Sequence, residues 1–254
     1  MISINGQKLE TTYFPDGTTQ VWKLSESILN KSCAWVAWKF SSETEFLQLA
    51  QLKTLLDSRN IKTSLTLTYL PYGRQDKEVS NNSTFALHTF AKLLNSLEFS
   101  DVFCNDPHSE VASKLINNFY PVYPIDEVCR VAKLVESNTL CYPDKGAVSK
   151  YTKVFDFSYI YGEKVRDQST GNILNYKLVG DPAGKNILIV DDICDGGMTF
   201  ILLTKDLLVA GAKSVTLFVT HGIFSKGVKV LLNAGIQRIF TQDGEMTYVG
   251  PKYA

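Results

Sequence analysis

Two adjacent carboxylates, Asp191 and Asp192, end a short apolar run and precede a Gly196–Gly197 turn. The apolar run predicts a buried strand, and a helix-period pattern follows the glycines. A strand that feeds a glycine turn and a helix N-terminus is suited to an anion, because backbone N–H groups converge there and the helix dipole favours negative charge. Carboxylate oxygens beside such a turn can accept hydrogen bonds from sugar hydroxyls or hold magnesium. Residues 186–200 therefore predict a binding loop for a phosphorylated sugar.

Further polar loops follow predicted strands elsewhere in the chain. The strand Ser64–Tyr69 runs into residues 70–77, and the strand Asp101–Cys104 is followed by the loop that contains His108. Asp144 comes in the same way after a strand that ends at Tyr142. Open α/β sheets bind their ligands beyond the carboxyl ends of the strands, so these loops are candidate binding loops. By itself His108 would be an ordinary loop histidine, and its place after a strand makes it a candidate ligand.

Two other segments join this set. Residues 11–18 hold an aromatic residue and a Pro-Asp-Gly turn between strand-like pieces, which predicts a hairpin. The segment Gly162–Asn175 is polar and without a clear period, which predicts a functional loop. Its charges Lys164 and Arg166 would, taken alone, be solvated loop residues.

The composition limits the classes of protein that fit. The chain has 254 residues, with 26 Lys+Arg against 26 Asp+Glu, which argues against a general nucleic-acid-binding protein. The five cysteines lack metal-type spacing and predict reduced thiols, with Cys194 as a small filler residue. No apolar run approaches the length of a transmembrane helix and no signal peptide is evident, so the prediction is a soluble cytoplasmic protein without membrane contact.

Strand and helix patterns alternate along the whole chain. This alternation predicts an α/β fold with mainly parallel sheets flanked by helices. Regularity drops at residues 118–125, which predicts two domains, 1–124 and 125–254. The tryptophans Trp22, Trp35 and Trp38 fall in strand-like stretches and are expected in the core.

Taken together, these motifs resemble the ribose-phosphate pyrophosphokinase family, whose members make phosphoribosyl pyrophosphate (PRPP). The matching segments occur in family order and are Phe14–Gly17, Pro71–Lys77, Asp106–His108, Pro143–Asp144, Lys164–Arg166, Val190–Thr199 and Thr220–Phe224. The resemblance implies two tandem phosphoribosyltransferase-like domains. The N-terminal domain would carry the ATP loops, and the C-terminal domain would carry the sugar-phosphate loop and a flexible catalytic loop. ATP would donate its β,γ-pyrophosphate to the anomeric hydroxyl of ribose 5-phosphate, which gives PRPP and AMP.

The resemblance also implies roles for individual residues. Phe14 would stack on adenine and Asp16 would hydrogen-bond its edge. The implied ATP-binding set is Phe14, Asp16, Thr18, Arg74, Gln75, Asp76 and His108. His108 and Asp144 resemble the magnesium-site residues, so Mg²⁺ is the implied cofactor.

On the acceptor side, Asp191 and Asp192 would bind the ribose hydroxyls. The implied cradle for the 5-phosphate is Asp195, Gly196, Gly197, Met198 and Thr199. Lys164 and Arg166 match the Lys-x-Arg pair of the catalytic loop and would stabilise charge that develops in the transition state.

The chain also departs from the family pattern. The sugar-phosphate loop usually reads Asp-Thr-x-Gly-Thr, so Gly196 lacks a hydroxyl and Met198 stands at a usually small position. Thr18 stands where the family commonly has a carboxylate. A homo-oligomer, dimer or higher, is expected. Because the tail after Asp243 is short, a hexamer is not assumed.

Three alternatives are also compatible with these residues. The acceptor could be a ribose whose 5-phosphate is substituted, such as ADP-ribose in NAD salvage. A PRPP-consuming phosphoribosyltransferase shares the loop at 191–199, but the ATP motifs argue against that class. An inactive regulatory homologue is disfavoured because Lys164, Arg166, His108 and Asp144 are all present.

Overall fold

The computed structural model describes the backbone of residues 1–166 and 173–246, and the side chains of 164–166 and 173–176 lie outside that description. The chain forms two compact units, Met1–Val122 (unit 1) and Tyr123–Ala254 (unit 2). The division falls inside the region 118–125 where the sequence pattern loses its regularity.

Unit 1 alternates strands and helices after two short antiparallel pairs. Its elements are β1 (Ile2–Ile4), β2 (Gln7–Lys8), β3 (Thr11–Tyr13), β4 (Thr19–Val21), α1 (Glu26–Leu29), β5 (Cys33–Trp38), α2 (Thr44–Asp57), β6 (Lys62–Leu67), α3 (Ala86–Asn95), β7 (Asp101–Asn105), α4 (Val111–Leu115) and β8 (Phe119–Val122). The sheet order is β2-β1-β5-β6-β7-β8, and β5 to β8 are parallel. Pro121 lies in the edge strand β8, where a missing N–H is tolerated.

The core of unit 1 forms where α2 and α3 pack on the sheet. Trp38 is 1% exposed and its ring contacts those of Phe46 on α2 and Phe90 on α3. Trp35 lies three positions earlier and so points to the opposite face of the strand. There it is 48% exposed and stacks on Phe103, with ring centroids 5.0 Å apart.

The tryptophan expectation was therefore correct only for Trp38, since Trp22 is also 48% exposed. A β-rich run does not reveal which of its faces a helix covers.

Unit 2 continues the alternation around a second sheet. Its elements are α5 (Ile125–Leu134), β9 (Thr139–Tyr142), α6 (Lys145–Tyr151), β10 (Ser158–Arg166), β11 (Ile173–Val179), β12 (Asn186–Cys194), α7 (Met198–Val209), β13 (Ser214–Gly222), α8 (Lys229–Leu232), β14 (Arg238–Thr241) and β15 (Gly244–Glu245). The sheet order is β11-β10-β9-β12-β13-β14-β15. The five strands from β10 to β14 in that order are parallel, and β11 and β15 pair antiparallel at the two edges. The predicted α/β fold with mainly parallel sheets is confirmed.

The prediction of a loop over Gly162–Asn175 was wrong for residues 162–166 and 173–175, while residues 167–172 lie outside the described part of the structure. Strand β10 continues through Arg166, and β11 begins at Ile173, so the two form an antiparallel pair. An antiparallel pair at a sheet edge needs only backbone pairing and one covered face, so its sequence can be as polar as a loop.

Helix α7 ends at a glycine with a positive φ. Gly211 has φ +89°, and the N–H groups of Gly211 and Ala212 donate to the carbonyls of Leu208 and Leu207. These bonds satisfy the last turn of α7 and end the helix. Among the described residues, the longest helix is α2 with 14 residues, and none is long and apolar enough to cross a lipid bilayer.

Candidate active site

The strand–glycine–helix segment of unit 2 forms as predicted. Strand β12 is buried along its apolar part, and Gly197 with φ +79° turns the chain into α7. A Cβ atom at Gly197 would lie 2.8 Å from Leu231 Cδ2, so both the backbone angle and the packing require glycine there. Gly197 caps α7 without a side-chain hydrogen bond. The first N–H groups of this 12-residue helix have no intrahelical acceptor, which suits them to an anionic ligand.

The two carboxylates lie at the end of β12 beside this turn. The backbone N–H of Asp192 donates to Asp191 Oδ1 at 3.0 Å. The pKa of Asp191 is raised well above its ordinary range. The largest cause is burial of its carboxyl group, and the negative charges of Asp192 and, more weakly, Asp144 add to it. Three carboxylates therefore influence one another at this edge of the sheet.

Helix α6 supplies a cation that the sequence reading missed. Lys150 Nζ lies 4.0 Å from Asp192 Oδ1, and the two side chains are 12% and 8% exposed. The same ammonium lies 4.7 Å from the centre of the Tyr151 ring. Nothing in the spacing of Lys150 from Asp192 signals this pair, because the two residues come from separate elements.

Asp144 has a structural role as well as a predicted metal role. Its side chain caps α6 by accepting the N–H of Ala147 at 3.0 Å. Its influence on the pKa of Asp191 places it in the same carboxylate group. Clustered carboxylates with one raised pKa are chemically suited to a hard divalent cation. Within residues 1–166 and 173–246 no group of three or more His, Cys, Asp and Glu side chains has an arrangement that would itself hold a metal.

The loop after β13 is hydrogen-bonded to the predicted sugar-phosphate loop, residues 191–199. The backbone N–H groups of Ile223 and Phe224 both donate to the carbonyl of Cys194, at 2.9 and 3.1 Å. Cys194 itself is fully buried, and burial raises the pKa of its thiol to about 12, so it is a filler residue as expected. Met198 opens α7 and is 55% exposed, so its side chain extends from the loop into solvent.

The predicted adenine-binding hairpin of unit 1 is formed by β3 and β4. Asp16 accepts hydrogen bonds from the backbone N–H of Thr18 at 3.0 Å and from its hydroxyl at 2.7 Å. These bonds lower the pKa of Asp16, the hydroxyl having the larger effect. Thr18 therefore orients Asp16 and keeps it an ionised acceptor. Phe14 is 41% exposed at the tip of this hairpin.

The other two loops of unit 1 meet beyond the carboxyl ends of β6 and β7. Asp76 Oδ2 accepts the hydroxyl of Ser109 at 2.7 Å, which ties the loop containing Arg74 and Gln75 to the loop containing His108. The N–H of Leu87 donates to the carbonyl of Gln75, which connects the first loop to α3. The structure thus brings together these two predicted loops. Asp76 has a partner within the protein, and Ser109 was missed because a lone serine carries no signal.

The predicted catalytic pair lies at the end of β10. Backbone pairing places Lys164 opposite Tyr176 and Arg166 opposite Ile173. The side chains of Lys164 and Arg166 are outside the described part of the structure, so their catalytic role stays a prediction.

Comparison with known proteins finds one family model and several relatives that match this chain. A model described as "Phosphoribosyl transferase domain" matches residues 145–240, which include Lys150 and the whole sugar-phosphate loop. A ribose-phosphate pyrophosphokinase of Sulfurisphaera tokodaii is 28% identical over 95% of this chain and 86% of its own length. Those of Saccharolobus solfataricus and Pyrococcus furiosus are 26% and 28% identical, covering 90% and 91% of this chain and 81% and 84% of their own. The chain is a homologue of the ribose-phosphate pyrophosphokinases.

A solved structure shows that the fold agrees as well. The phosphoribosylpyrophosphate synthetase of Mycobacterium smegmatis superposes with a TM-score of 0.73 at 18% identity, over 92% of this chain and 79% of that one. Ribose-phosphate pyrophosphokinases are diphosphotransferases by name, so the relatives of this chain are enzymes.

Proposed function

We propose that this protein transfers the β,γ-pyrophosphate of ATP to the anomeric hydroxyl of ribose 5-phosphate, with PRPP and AMP as products. The observation that carries this proposal is the sugar-phosphate loop of unit 2, in a chain homologous to ribose-phosphate pyrophosphokinases over most of its length. There the carboxylates Asp191 and Asp192 stand beside an uncapped helix N-terminus.

In this reaction the anomeric oxygen forms a bond to the β-phosphorus of ATP. The bond from that phosphorus to the oxygen bridging it to the α-phosphorus breaks, AMP leaves with that oxygen, and the hydroxyl proton is lost. Such a transfer depends mainly on positioning and on stabilising the developing negative charge.

The residues of unit 2 bind and orient the acceptor in this proposal. Asp191 and Asp192 accept hydrogen bonds from the ribose 2- and 3-hydroxyls, which fixes the sugar ring. The free N–H groups at the start of α7, together with the Thr199 hydroxyl, bind the 5-phosphate. Asp195 flanks this cradle.

The residues of unit 1 bind the donor. Phe14 stacks on adenine while Asp16, oriented by Thr18, accepts a hydrogen bond from its edge. Arg74 and Gln75 contact the polyphosphate, for which a permanently charged, bidentate guanidinium is well suited. Asp76 holds this loop against the one containing His108.

Asp144 and His108 are the residues proposed to hold Mg²⁺. When bound, the cation supplies neutralisation of the polyphosphate charge. Lys164 and Arg166 are proposed to add two positive charges at the transferring group. Homo-oligomerisation and a cytoplasmic location also stay predictions, which sedimentation velocity and cell fractionation can check.

The test is an acceptor panel with ATP and Mg²⁺, in which AMP release is followed and each product is weighed by mass spectrometry. Ribose 5-phosphate should yield AMP and PRPP, and omission of acceptor should yield neither. Lys164→Ala should lower turnover by orders of magnitude with an unchanged circular dichroism spectrum. AMP release with ADP-ribose but not with ribose 5-phosphate would overturn the acceptor assignment, and no AMP with any ribosyl phosphate would overturn the reaction.

A further inference from the structure

The sugar-phosphate loop has a cation beside its glycine. A Cβ atom built at Gly196 would lie 3.6 Å from Lys226 Cε and 3.7 Å from Lys226 Cδ. The aliphatic part of Lys226 therefore runs alongside the loop at the position where the family pattern has a threonine. The ammonium group is one bond beyond Cε, so it lies near the loop that would bind the 5-phosphate.

The backbone around Lys226 is held in place. Phe224 is 4% exposed and donates its N–H to the carbonyl of Cys194, at the end of β12. The N–H of Gly227 donates to the carbonyl of Phe224 at 2.8 Å, which closes a turn around Lys226, and Val228 after it is fully buried. Buried anchors on both sides fix the turn, while the Lys226 side chain itself is exposed.

The chemistry of the loop leaves a place for this cation. Gly196 offers no hydroxyl, and Gly197 at the start of α7 offers no capping side chain. The donors of the loop itself are therefore mainly backbone N–H groups. An ammonium group brings three further donors and a full positive charge. A phosphate therefore binds an ammonium group more strongly than it binds a hydroxyl group.

The geometry points to Lys226 as a phosphate-binding, specificity-determining residue for the acceptor, in the place of the missing side chain at Gly196. This inference rests on the proposed function. A compact positive charge interacts most strongly with a terminal phosphate that carries two negative charges. Lys226 therefore favours a ribosyl monophosphate over a ribose whose 5-phosphate is substituted, as in ADP-ribose.

The first experiment compares Lys226→Met with the control Lys213→Met. Both lysines are exposed, and Lys213 lies just before β13 whereas Lys226 lies after it. Loss of one charge-assisted contact should raise the KM for ribose 5-phosphate about 10- to 100-fold. The turnover number, the KM for ATP and the melting temperature should stay close to those of the wild type, as should all parameters of Lys213→Met. Lys226→Arg should recover most of the lost affinity.

A double-mutant cycle tests the link to Gly196. Gly196→Thr adds a hydroxyl, so it should improve binding in Lys226→Ala but change it little in the wild type, where Lys226 already lies beside this position. Additive effects of the two changes would overturn the claim that Lys226 substitutes for that side chain.

Calorimetric titration of ribose 5-phosphate separates this inference from the proposed reaction, because binding needs no turnover. If wild-type protein binds ribose 5-phosphate and Lys226→Met binds it equally well, the inference is wrong even when AMP release proves the reaction. If Lys226→Met loses affinity for ribose 5-phosphate and not for ADP-ribose, the preference for a terminal phosphate is supported. An equal loss for both acceptors contradicts that preference.

Discussion

Lys150 Nζ lies 4.0 Å from Asp192 Oδ1, and both side chains are about nine-tenths buried, with 12% and 8% of their surface exposed. This pair places one positive charge beside a group of carboxylates that includes Asp191 and Asp144. A cation at this point offsets part of the repulsion between carboxylates that must stay available to a sugar. We therefore expect Lys150 to help position Asp192 in the proposed acceptor site.

Removal of the Lys150 charge should destabilise the protein. In Lys150→Met, Asp192 is left buried without this counter-charge, and the loss of one partner of a buried pair typically costs about 3 kcal/mol. The free energy of unfolding from urea titrations should fall by about this amount. The double variant Lys150→Met/Asp192→Asn should recover part of the loss, since it removes both charges. Equal stability of Lys150→Met and wild type would contradict an ion pair at this site.

The two roles of Asp144 can be separated by the choice of substitution. Asparagine caps a helix about as well as aspartate, whereas alanine at the cap costs about 1 kcal/mol. Asp144→Asn should therefore keep the wild-type melting temperature and Asp144→Ala should lower it. Both should lose affinity for Mg²⁺, measured as the magnesium concentration that gives half-maximal AMP release. A wild-type magnesium requirement in Asp144→Asn would remove Asp144 from the metal site.

Gly197 should tolerate no side chain. Its φ is +79° and a Cβ atom would meet Leu231 Cδ2 at 2.8 Å, so Gly197→Ala adds a steric clash to backbone strain. A loss of about 2 kcal/mol in unfolding free energy is expected, together with weaker acceptor binding. Gly184→Ala is the matched control, because Gly184 has φ +70° with open space around its Cβ position. If Gly184→Ala costs as much stability as Gly197→Ala, the contact with Leu231 does not constrain the loop.

The raised pKa of Asp191 predicts a pH dependence of stability. The folded state holds this proton more tightly than the unfolded chain, whose ordinary pKa is 3.8. The stabilising contribution is therefore complete below about pH 4 and is lost as the pH rises through the folded-state pKa. Without added magnesium, the unfolding free energy of the wild type should fall between pH 4 and 7, and in Asp191→Asn this fall should be smaller. At pH 7 the Asp191→Asn variant should therefore be more stable than the wild type. The exposed Asp156→Asn should keep the wild-type slope.

The sugar-phosphate loop was predictable from sequence for a local reason. A buried apolar run, a glycine turn and a helix start follow one another within residues 186–200, so each signal comes from neighbouring residues. The same holds for Gly211, because a glycine just after a helix needs only the helix itself to explain it. The loops around Gln75 and His108 were found because each directly follows a predicted strand.

The contacts between separate elements could not be predicted in this way. Lys150 meets Asp192, and Lys226 lies along Gly196, only because the fold brings α6 and the loop after β13 to β12. The strands β10 and β11 were missed because pairing at a sheet edge is made by the backbone, which carries no polarity signal. Trp35 was misassigned because the strand pattern does not say which face of the sheet α2 and α3 cover.

We propose that this chain moves a pyrophosphoryl group from ATP to a ribosyl phosphate. The most direct measurement uses ATP labelled at the β-phosphorus, with Mg²⁺ and ribose 5-phosphate, followed by separation of the products and location of the label. We predict that the label appears in PRPP and that the accompanying nucleotide is unlabelled AMP. Label found in ADP, or in inorganic pyrophosphate with no ribosyl product, would contradict the account.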